Sequence, residues 1–587
     1  MSAEATGPSR KRQRAAPTDR PSYPRKRAVQ ACHTCRRKRI KCDNEHPACG
    51  SCVELGIECI YRENDKSTFD PASIAILQRL DTLESLVRTV LPVGSGATTD
   101  VPAQHSSVAS LNNLCSPALE RTQSGAAYHL NIESILAWPV FQHQAFEPRQ
   151  PLGALLQSND SPVEPPLRGL DFETSSARQL FHNFLTHVHT YNPVSEAEEI
   201  EKYIRDALFD GFGWDAKSCL LLLIFALGAI SSPGFDSASA ASSAFLQSEE
   251  YADAERYFHA AQKRLGVLLC KDGVIETQVF FYAGVYLMTT LRPLEAWRMF
   301  VQALACCETF NSSHSPAAGH TDPAATRQRS IYWTCFKSEL ELRLELNVGR
   351  SHGLDLTYPA LFPSPPTGLK PEEEAVWYFY LAEIALRRLG NRILNHLYEE
   401  SARDNQMQVE ATLNFEDQAS GLLTSLPALL DLNALSNQAP NDADDQHAAL
   451  RFILNGHLID CYEMMYWPFV VDAIHENHPT DDFHGLFAGF ARKGFDVCIR
   501  RITQNERGFF HRHHGTWLML RSCTRSALVL IAGALQGLAV LLPANWRSAV
   551  DKVLVLLRYW KDEARDVADR LELLEGLMDA LAADTLD

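Results

Sequence analysis

Six cysteines near the amino terminus have the residue type and the spacing to bind metal ions. They form two consecutive copies of the pattern C-x2-C-x6-C, made of Cys32, Cys35, Cys42, Cys49, Cys52 and Cys59. Two cysteines separated by two residues direct both sulfurs toward one ion, and a third cysteine six residues later closes over it. The chemistry that this pattern indicates is thiolate coordination of zinc.

The number of sulfurs sets how the ions must be arranged. Each copy supplies three thiolates, whereas tetrahedral zinc binds four ligands. Six sulfurs satisfy two zinc ions only if two sulfurs are shared, and the repeat favours the first cysteine of each copy, Cys32 and Cys49. A segment this short cannot bury a core large enough to fold alone, so metal must hold it together. The sequence therefore predicts two Zn²⁺ ions per chain as the cofactor.

A disulfide framework, or six cysteines placed by chance, is the alternative interpretation. Disulfides form in oxidising compartments, and we see no signal peptide that would deliver the chain to one. The other nine cysteines show no repeated spacing, which is typical of ordinary thiols in a reducing compartment. Repeated spacing favours the metal interpretation.

Residues around the cysteines carry a resemblance to a known family. A basic run lies between the second and third cysteines, Asp43 follows the third, and Pro47 stands two residues before the fourth. With these features the segment 31–62 resembles the fungal binuclear zinc-cluster DNA-binding domain, a transcription-factor module whose helix enters the major groove of double-stranded DNA. The resemblance implies DNA contacts by the basic run, that is by Arg36, Arg37, Lys38, Arg39 and Lys41.

The resemblance also implies different roles within the basic run. In that family the fourth residue after the second cysteine is usually a lysine that reads a CGG triplet. Here that residue is Arg39, preceded by Lys38, so the usual order of arginine and lysine is reversed. Arginine can donate two hydrogen bonds to guanine O6 and N7, so we expect Arg39 to read a base. We expect Arg36, Arg37 and Lys41 to contact phosphates, which position the module without reading sequence.

The charge of the chain is unevenly divided. All 587 residues together have a formal net charge of −17. Residues 1–62 have fourteen Lys/Arg against six Asp/Glu, a net of +8, whereas the remaining 525 residues have forty-one against sixty-six, a net of −25. This asymmetry indicates a nucleic-acid-binding end on a body that does not bind nucleic acid.

The stretch before the cysteines is polar and basic and contains proline, so we expect residues 1–30 to be a disordered arm. Its two basic clusters resemble a bipartite nuclear-import signal, which predicts a nuclear location. The residues of this prediction are Lys11, Arg12, Lys26 and Arg27. The alternative is a solvated arm that only adds affinity for phosphates, and the two roles are compatible.

A heptad pattern follows the cysteines after a linker at residues 63–72. In residues 73–92 apolar side chains fall mostly at a and d positions, while Arg79 and Glu84 fall at g and e positions that pair across a parallel dimer. Behind a zinc cluster, where the family places its dimerisation helix, this pattern predicts a coiled coil and a homodimer on DNA. An amphipathic helix that packs on the body is the alternative. The predicted seam consists of Ile76, Leu80, Leu83, Val87 and Val90.

The rest of the chain reads as a linker followed by a helical body. Residues 93–170 are rich in Ser, Thr, Pro, Gln, Asn and Gly, which predicts a disordered linker. An apolar piece at 129–141 interrupts it, and is either a partner-binding motif or a segment that docks on the body of the same chain. Residues 171–587 show helical patterns and almost no strand signals. The expected fold class is mostly α, with a small binuclear zinc cluster, a short coiled coil and a large all-helical regulatory domain.

Several features of the body bear on its function. The apolar run at 219–230 is twelve residues long, which suits a buried core helix and is too short to span a membrane. Three histidines at 511, 513 and 514 lack clear carboxylate or cysteine partners at helical spacing, so we expect them to flank a helix start and not to bind metal. The body is similar to the helical middle-homology region of the same regulators, on residues Arg292, Pro293, Trp297, Tyr332 and Trp333.

No phosphate-binding loop, nucleophile elbow or zinc-protease pattern is found in the sequence, and nothing in it argues for an enzyme. We therefore expect a sequence-specific DNA-binding regulator of RNA polymerase II genes, with the transcription machinery or coactivators as partners and no membrane. The body resembles regulators of biosynthetic, secondary-metabolite gene clusters. Control of primary carbon or nitrogen catabolism is one alternative, and a thiolate metal-sensing protein is another.

Overall fold

The computed structural model describes the chain in segments: residues 32–38, 42–43, 47–59, 130–142, 174–231, 242–310, 323–346, 348, 371–398, 405–432, 447–475 and 484–583. The chain divides into two compact units, Met1–Leu114 and Cys115–Asp587. Within the described segments every regular element is a helix, which confirms the mostly α fold class. The arm predicted at 1–30, the helix predicted at 73–92 and all residues predicted for import and dimerisation lie outside the described residues.

The first unit has two short helices among its described residues, α1 (His33–Lys38) and α2 (Gly50–Glu54). Each begins at the residue after the first cysteine of one C-x2-C-x6-C copy, so the second cysteine of that copy lies on the first helical turn. Gly56, with a φ of 59°, follows α2 in the left-handed region that favours glycine. The sequence repeat is therefore also a structural repeat.

The second unit contains the remaining helices, with α4 continuing as a π-helical turn at Leu185–His189. Their bounds are α3 (Ile132–Leu136), α4 (Thr174–Phe184), α5 (Ala197–Asp210), α6 (Ala216–Ile230), α7 (Glu249–Leu268), α8 (Val274–Thr289), α9 (Pro293–Cys307), α10 (Pro323–Leu346), α11 (Pro371–Tyr398), α12 (Asn405–Ser425), α13 (Ala448–Ile474), α14 (His484–Asn505), α15 (Thr516–Leu535), α16 (Trp546–Trp560) and α17 (Arg565–Ala583).

Helix α6 is buried on all sides, as its continuous apolar run predicts. The Asp215 side chain caps it by accepting a hydrogen bond from the Ser218 N–H at 2.8 Å. Helix α4 crosses it closely at Gly228, where a Cβ would overlap the backbone of Leu180. At the same crossing the Asn183 side chain donates a hydrogen bond to the Gly228 carbonyl at 3.2 Å. The absence of a side chain at Gly228 thus sets how near the two helices lie.

The described residues of the second unit form two large apolar cores and two small clusters between α10 and α11. The larger core includes α4 to α9 and α14 to α17, and the smaller core lies among α11 to α14. Helix α13 contributes to both, with Trp467 and Val470 in the larger core and Leu454 and Met465 in the smaller one. Helices that are neighbours in the chain pack together, notably α6 with α7, α8 with α9 and α13 with α14. The long helix α13 therefore joins the two cores.

Residues 130–142 differ from the disordered linker expected for residues 93–170. Their apolar side chains, including Ile132 and Trp138, are buried in the larger core. The Trp138 ring centroid lies 5.7 Å from that of Trp467 on α13. Polar residues dominate the composition of 93–170, which is why a linker was predicted. A short apolar face within it can still pack on the body, because burying its side chains is favourable. Of the two alternatives for this piece, docking on its own chain is the one observed.

Helix α15 is long and apolar enough to cross a membrane by length and composition alone. In the structure 78% of its apolar window is buried inside the second unit. It packs against α14, α16 and α17. Its environment is that of a core helix, a class that passes the same length and composition test.

Buried ion pairs form a continuous chain through the second unit, with successive N–O distances of 2.5 to 3.6 Å. Glu463, only 5% exposed, accepts hydrogen bonds from both Arg501 and Arg525. Removing one partner of a buried pair costs about 3–5 kcal/mol because it leaves the other charge unpaired. This ion-pair chain runs through Arg570, Glu133, Arg521, Glu345, Arg525, Glu463, Arg501, Asp460, His457, Glu383 and Lys337.

His457 lies between two carboxylates of the ion-pair chain, with Nε2 3.4 Å from Glu383 and Nδ1 3.6 Å from Asp460. Burial opposes its charge, but the two carboxylates raise the pKa of His457 to about 9. Burial likewise opposes ionisation of the carboxyls, yet Lys337 and Arg501 hold the pKa of Glu383 and of Asp460 well below the usual range. The carboxylates thus stabilise the fold above about pH 4, and this contribution is lost as the pH falls.

The raised pKa of His457 predicts a loss of stability on the alkaline side. Below about pH 6.5 the histidine is protonated in both states and its stabilisation is complete. As the pH rises toward 9, the folded protein keeps a proton that the unfolded chain releases, so the free energy of unfolding should fall by up to about 1.4 kcal/mol per pH unit. Calorimetry should show that His457→Gln removes this slope while His259→Gln on α7 does not. A slope that survives in H457Q would assign it to another group.

Candidate metal centre and nucleic-acid interface

The cysteine sulfurs converge in the first unit. Four of the six cysteines are buried, and the other two, Cys42 and Cys59, are half-buried. The Sγ atoms of Cys32 and Cys49 are 3.7 Å apart, those of Cys35 and Cys49 are 3.5 Å apart, and those of Cys32 and Cys52 are 3.6 Å apart. Sulfurs around one tetrahedral zinc ion are separated by about 3.8 Å, given Zn–S bonds of about 2.3 Å. A disulfide needs about 2.05 Å, so the geometry fits zinc and not the disulfide alternative.

The sulfurs fall into two groups of four, within each of which all sulfurs lie within 4.8 Å of one another. One group consists of Cys32, Cys35, Cys42 and Cys49, and the other of Cys32, Cys49, Cys52 and Cys59. Cys32 and Cys49 belong to both groups, which is the sharing that the sequence repeat predicts. The donor set therefore fits two four-coordinate zinc ions with two bridging thiolates.

Backbone amides donate hydrogen bonds to the sulfurs in a pattern that repeats between the halves. The Cys32 N–H lies 3.5 Å from Cys42 Sγ, and the Cys49 N–H lies 3.3 Å from Cys59 Sγ. In each half, then, the first cysteine donates to the third. The N–H of Cys35 donates to the bridging Cys32 Sγ at 3.3 Å. Such bonds favour the thiolate over the thiol, which is the form that binds metal.

Three thiols of the cluster resist ionisation in the absence of a cation. Burial raises the pKa of Cys35 to about 12 and also raises the pKa of Cys49 and of Cys52. At Cys32 burial acts in the same direction, but the backbone hydrogen bond from Cys35 and the neighbouring sulfurs lower the pKa to about 6. Zinc has to displace the protons of these thiols, so its binding releases protons and strengthens as the pH rises.

Two side-chain hydrogen bonds join the halves. The Asp43 carboxylate accepts from the Gly50 N–H, with its two oxygens at 2.9 and 3.2 Å. The Thr34 hydroxyl donates to the Glu58 carbonyl at 2.9 Å. Sequence reasoning noted Asp43 only as part of the resemblance, and it missed Thr34 and Gly50. Both missed residues stand directly beside cluster cysteines, and this proximity is the signal that could have found them.

Helix α1 carries three of the five basic residues expected to contact DNA. Arg36, Arg37 and Lys38 lie on this helix, which starts immediately after Cys32. Lys38 is exposed at its end. Arg39 and Lys41 lie outside the described residues, so their DNA contacts stay predictions. Because the sulfurs anchor the start of α1, the zinc cluster positions a positively charged helix.

Comparison with known families settles what the cysteine cluster is. Residues 30–68 match the fungal Zn(2)-Cys(6) binuclear cluster domain. This segment belongs to that family. The Zn(2)-Cys(6) domain binds two zinc ions, in agreement with the two sulfur groups and the predicted cofactor. Within the described part of the chain, the groups of His, Cys, Asp and Glu close enough to hold one metal ion are these two.

Similarity to individual proteins is long in one case and confined to a short segment in others. The chain is 22% identical over 494 residues to a protein of Aspergillus rugulosus named as a transcription factor, ecdB, covering 78% of this chain and 81% of the relative. It is 38% identical over 61 residues to transcription factor FBD3 of Gibberella moniliformis, covering 10% of this chain and 8% of the relative. Over 58 residues it is 38% identical to oleate-activated transcription factor 1 of Saccharomyces cerevisiae, covering 10% and 6%. These relatives support a DNA-binding transcription regulator.

The bridging arrangement predicts how single substitutions change metal content. The unsubstituted protein should hold two zinc ions per chain. Cys59→Ser removes a ligand from one sulfur group and should leave one ion, whereas Cys49→Ser removes a ligand from both and should leave none firmly bound. Native mass spectrometry measures the metal content, with Cys270→Ser, an exposed cysteine of the second unit, as the control that keeps both ions. Equal zinc loss in C49S and C59S would contradict the bridging role of Cys49.

Proposed function

We propose that this protein regulates transcription by RNA polymerase II through sequence-specific contacts of its Zn(2)-Cys(6) domain with double-stranded DNA. The observation that carries the proposal is the pair of sulfur groups sharing Cys32 and Cys49 at the start of the basic helix α1. A metal-sensing protein would use the same thiolates but would not need this basic helix. The long similarity to ecdB, a protein named as a transcription factor, agrees with the proposal.

The chain's own residues would act by position and charge. Zinc, when bound, supplies the crosslinks that a segment too short to bury a large core needs in order to fold. Helix α1 then presents its basic side chains to DNA from a fixed starting point, and the excess of basic residues in 1–62 draws the module to phosphates. Arg39 follows directly after α1 and is the residue proposed to read a guanine of a CGG triplet.

A pair of substitutions separates base reading from phosphate binding. Arg39→Ala should weaken binding to the preferred site by about 1–3 kcal/mol and relax the preference at one guanine, because a bidentate base contact is lost. Arg36→Ala should weaken binding to all sequences alike and lower the salt dependence. The measurement is affinity for CGG-containing and scrambled duplexes at several salt concentrations. If the two substitutions act equally on both duplexes, the assigned roles are wrong.

A single triplet is too short to specify one site in a genome, so a second contact is needed. We propose that residues 73–92 supply it by pairing two chains as a coiled coil on DNA that carries two half-sites. The pairing is weak alone, since three heptads give little buried surface, and DNA promotes it by raising the effective concentration of the second module.

Charges placed in the proposed seam should abolish cooperative binding. Leu80→Asp with Leu83→Asp should lower affinity for a paired site by orders of magnitude while the weak affinity for a single triplet remains, since only the link between the modules is lost. Leu77→Asp with Leu86→Asp, two leucines outside the seam, is the matched control. Electrophoretic mobility shifts on one-site and two-site duplexes measure the difference. Unchanged paired-site affinity in L80D/L83D would favour an amphipathic helix packed on the body.

The location and the target genes are further parts of the proposal. The basic clusters of the arm would direct import into the nucleus, where the protein would act together with the transcription machinery or coactivators. The resemblance of the body to regulators of biosynthetic gene clusters supports secondary metabolism as the controlled process. Mapping the genomic positions bound by the tagged protein would test this, and binding confined to genes of primary carbon or nitrogen catabolism would overturn it.

A further inference from the structure

The second unit contains a cavity of about 390 Å³ whose wall includes the middle of the ion-pair chain. Its volume lies in the range of about 300–1,000 Å³ that is typical of small-molecule sites. Apolar side chains such as Phe281, Phe300 and Leu344 line it together with the charged residues. A cavity of this kind offers both apolar area and polar groups to a ligand.

The charges that line this cavity are already paired. With the protonated His457 included, six of the charged residues that line it are basic and five are acidic, and each has an ion-pair partner. Lys337 pairs with Glu383 at 2.5 Å, and Arg387 with Glu341 at 3.2 Å. An ion that entered would lose its hydration without finding an unpaired countercharge, which is costly in a buried site. The cavity therefore disfavours charged ligands.

Two buried hydrogen-bond donors at the cavity have no acceptor among the described residues. They are Asn192 Nδ2 and Arg501 Nε, on residues that are each 4% exposed and that line the cavity. A buried donor without an acceptor costs about 1–3 kcal/mol. Protein atoms fully cover both nitrogens, so a ligand oxygen can accept from them only after the side chain turns toward the cavity. That bond would recover part of the cost, so acceptor groups are favoured.

A second cavity of about 460 Å³ adjoins the first. Both are lined by His513 and His514, and also by Val285 and Ile453. Its wall is mostly apolar and aromatic, with Phe245 among its rings. It also has two arginines: Arg512 is paired with Glu563, and Arg507 is exposed to solvent. His513 Nδ1 accepts a hydrogen bond from the Gly515 N–H at 3.0 Å, so the neutral ring carries its proton on Nε2 and can donate. Burial lowers the pKa of His513 and of His514, to about 4 for the latter, which keeps both rings neutral at physiological pH.

We propose that the two adjoining cavities bind one uncharged, largely apolar organic molecule that carries a hydrogen-bond acceptor such as a carbonyl oxygen. The apolar and aromatic walls of both cavities bury its skeleton, while Asn192 and His513 offer donors to its oxygen. The proposal goes beyond DNA recognition and does not depend on it, since every residue it uses lies in the second unit.

Gly456 provides a way to fill the first cavity without disturbing the fold. It lines the cavity from helix α13, and a Cβ added there meets nothing within 4 Å. Gly456→Leu therefore adds volume to the cavity and replaces a poor helix former by a good one. Gly489→Leu on α14 is the matched control, because Gly489 also has open space but lines neither cavity.

The experiment uses the full-length protein and two dyes of similar size. Nile red is uncharged and has a ring carbonyl, whereas anilinonaphthalene sulfonate is an anion. We expect saturable Nile red fluorescence that is roughly tenfold weaker in affinity in G456L and unchanged in G489L, and we expect weaker binding of the anion. Absent Nile red binding, equal binding in G456L and G489L, or tighter binding of the anion would each overturn the proposal.

A second variant separates binding from folding. Asn192→Leu removes a donor that has no acceptor among the described residues, so the melting temperature should stay level or rise. The same substitution should weaken Nile red binding by roughly threefold to tenfold, since the bound carbonyl loses a hydrogen bond. A variant that keeps full dye affinity, or that loses stability and dye affinity together, would contradict the assigned role of Asn192.

Discussion

The ion-pair chain of the second unit constrains the placement of seven helices at once. Each interior member touches two partners of opposite charge, as Glu463 does with Arg501 and Arg525. Burying a charge is costly unless its partners are held in good geometry, so a helix that shifted would separate several pairs together. The helices involved are α3, α10, α11, α13, α14, α15 and α17. The charges therefore fix a relative arrangement that apolar contacts alone would leave more tolerant of sliding.

The two units solve the problem of stability in different ways. Among the described residues of the Zn(2)-Cys(6) domain, the buried cluster consists of the cysteines themselves. Metal ions stabilise the folded domain, so the fraction of folded domain depends on zinc concentration and on pH. The second unit has two apolar cores joined by α13 and a network of charges inside them. A change in metal supply would accordingly act on the first unit while the second keeps its own sources of stability.

The sequence predicted those features whose partners are close in the chain. The six cysteines lie within 28 residues, so their spacing alone was enough to anticipate the shared sulfurs at Cys32 and Cys49. The continuous apolar run of α6 likewise predicted a buried helix. The ion-pair chain could not be anticipated, because Glu133 and Arg570 are 437 residues apart and each sits in an ordinary amphipathic pattern. The two cavities could not be predicted from the sequence either, because the residues that line them come from helices far apart in the chain.

The docked residues 130–142 determine which N-terminal truncations would leave the helical unit intact. Glu133 neutralises both Arg521 and Arg570, and Trp138 covers Trp467. A truncated protein that started at residue 171 would keep the two arginines but lose their common carboxylate, and it would expose an indole that is buried in the intact chain. Such a fragment would be prone to aggregate, whereas one that started upstream of residue 130 would retain the piece. A fragment of the helical body should therefore begin before residue 130, within the stretch 93–170 that its polar composition predicts to be a linker.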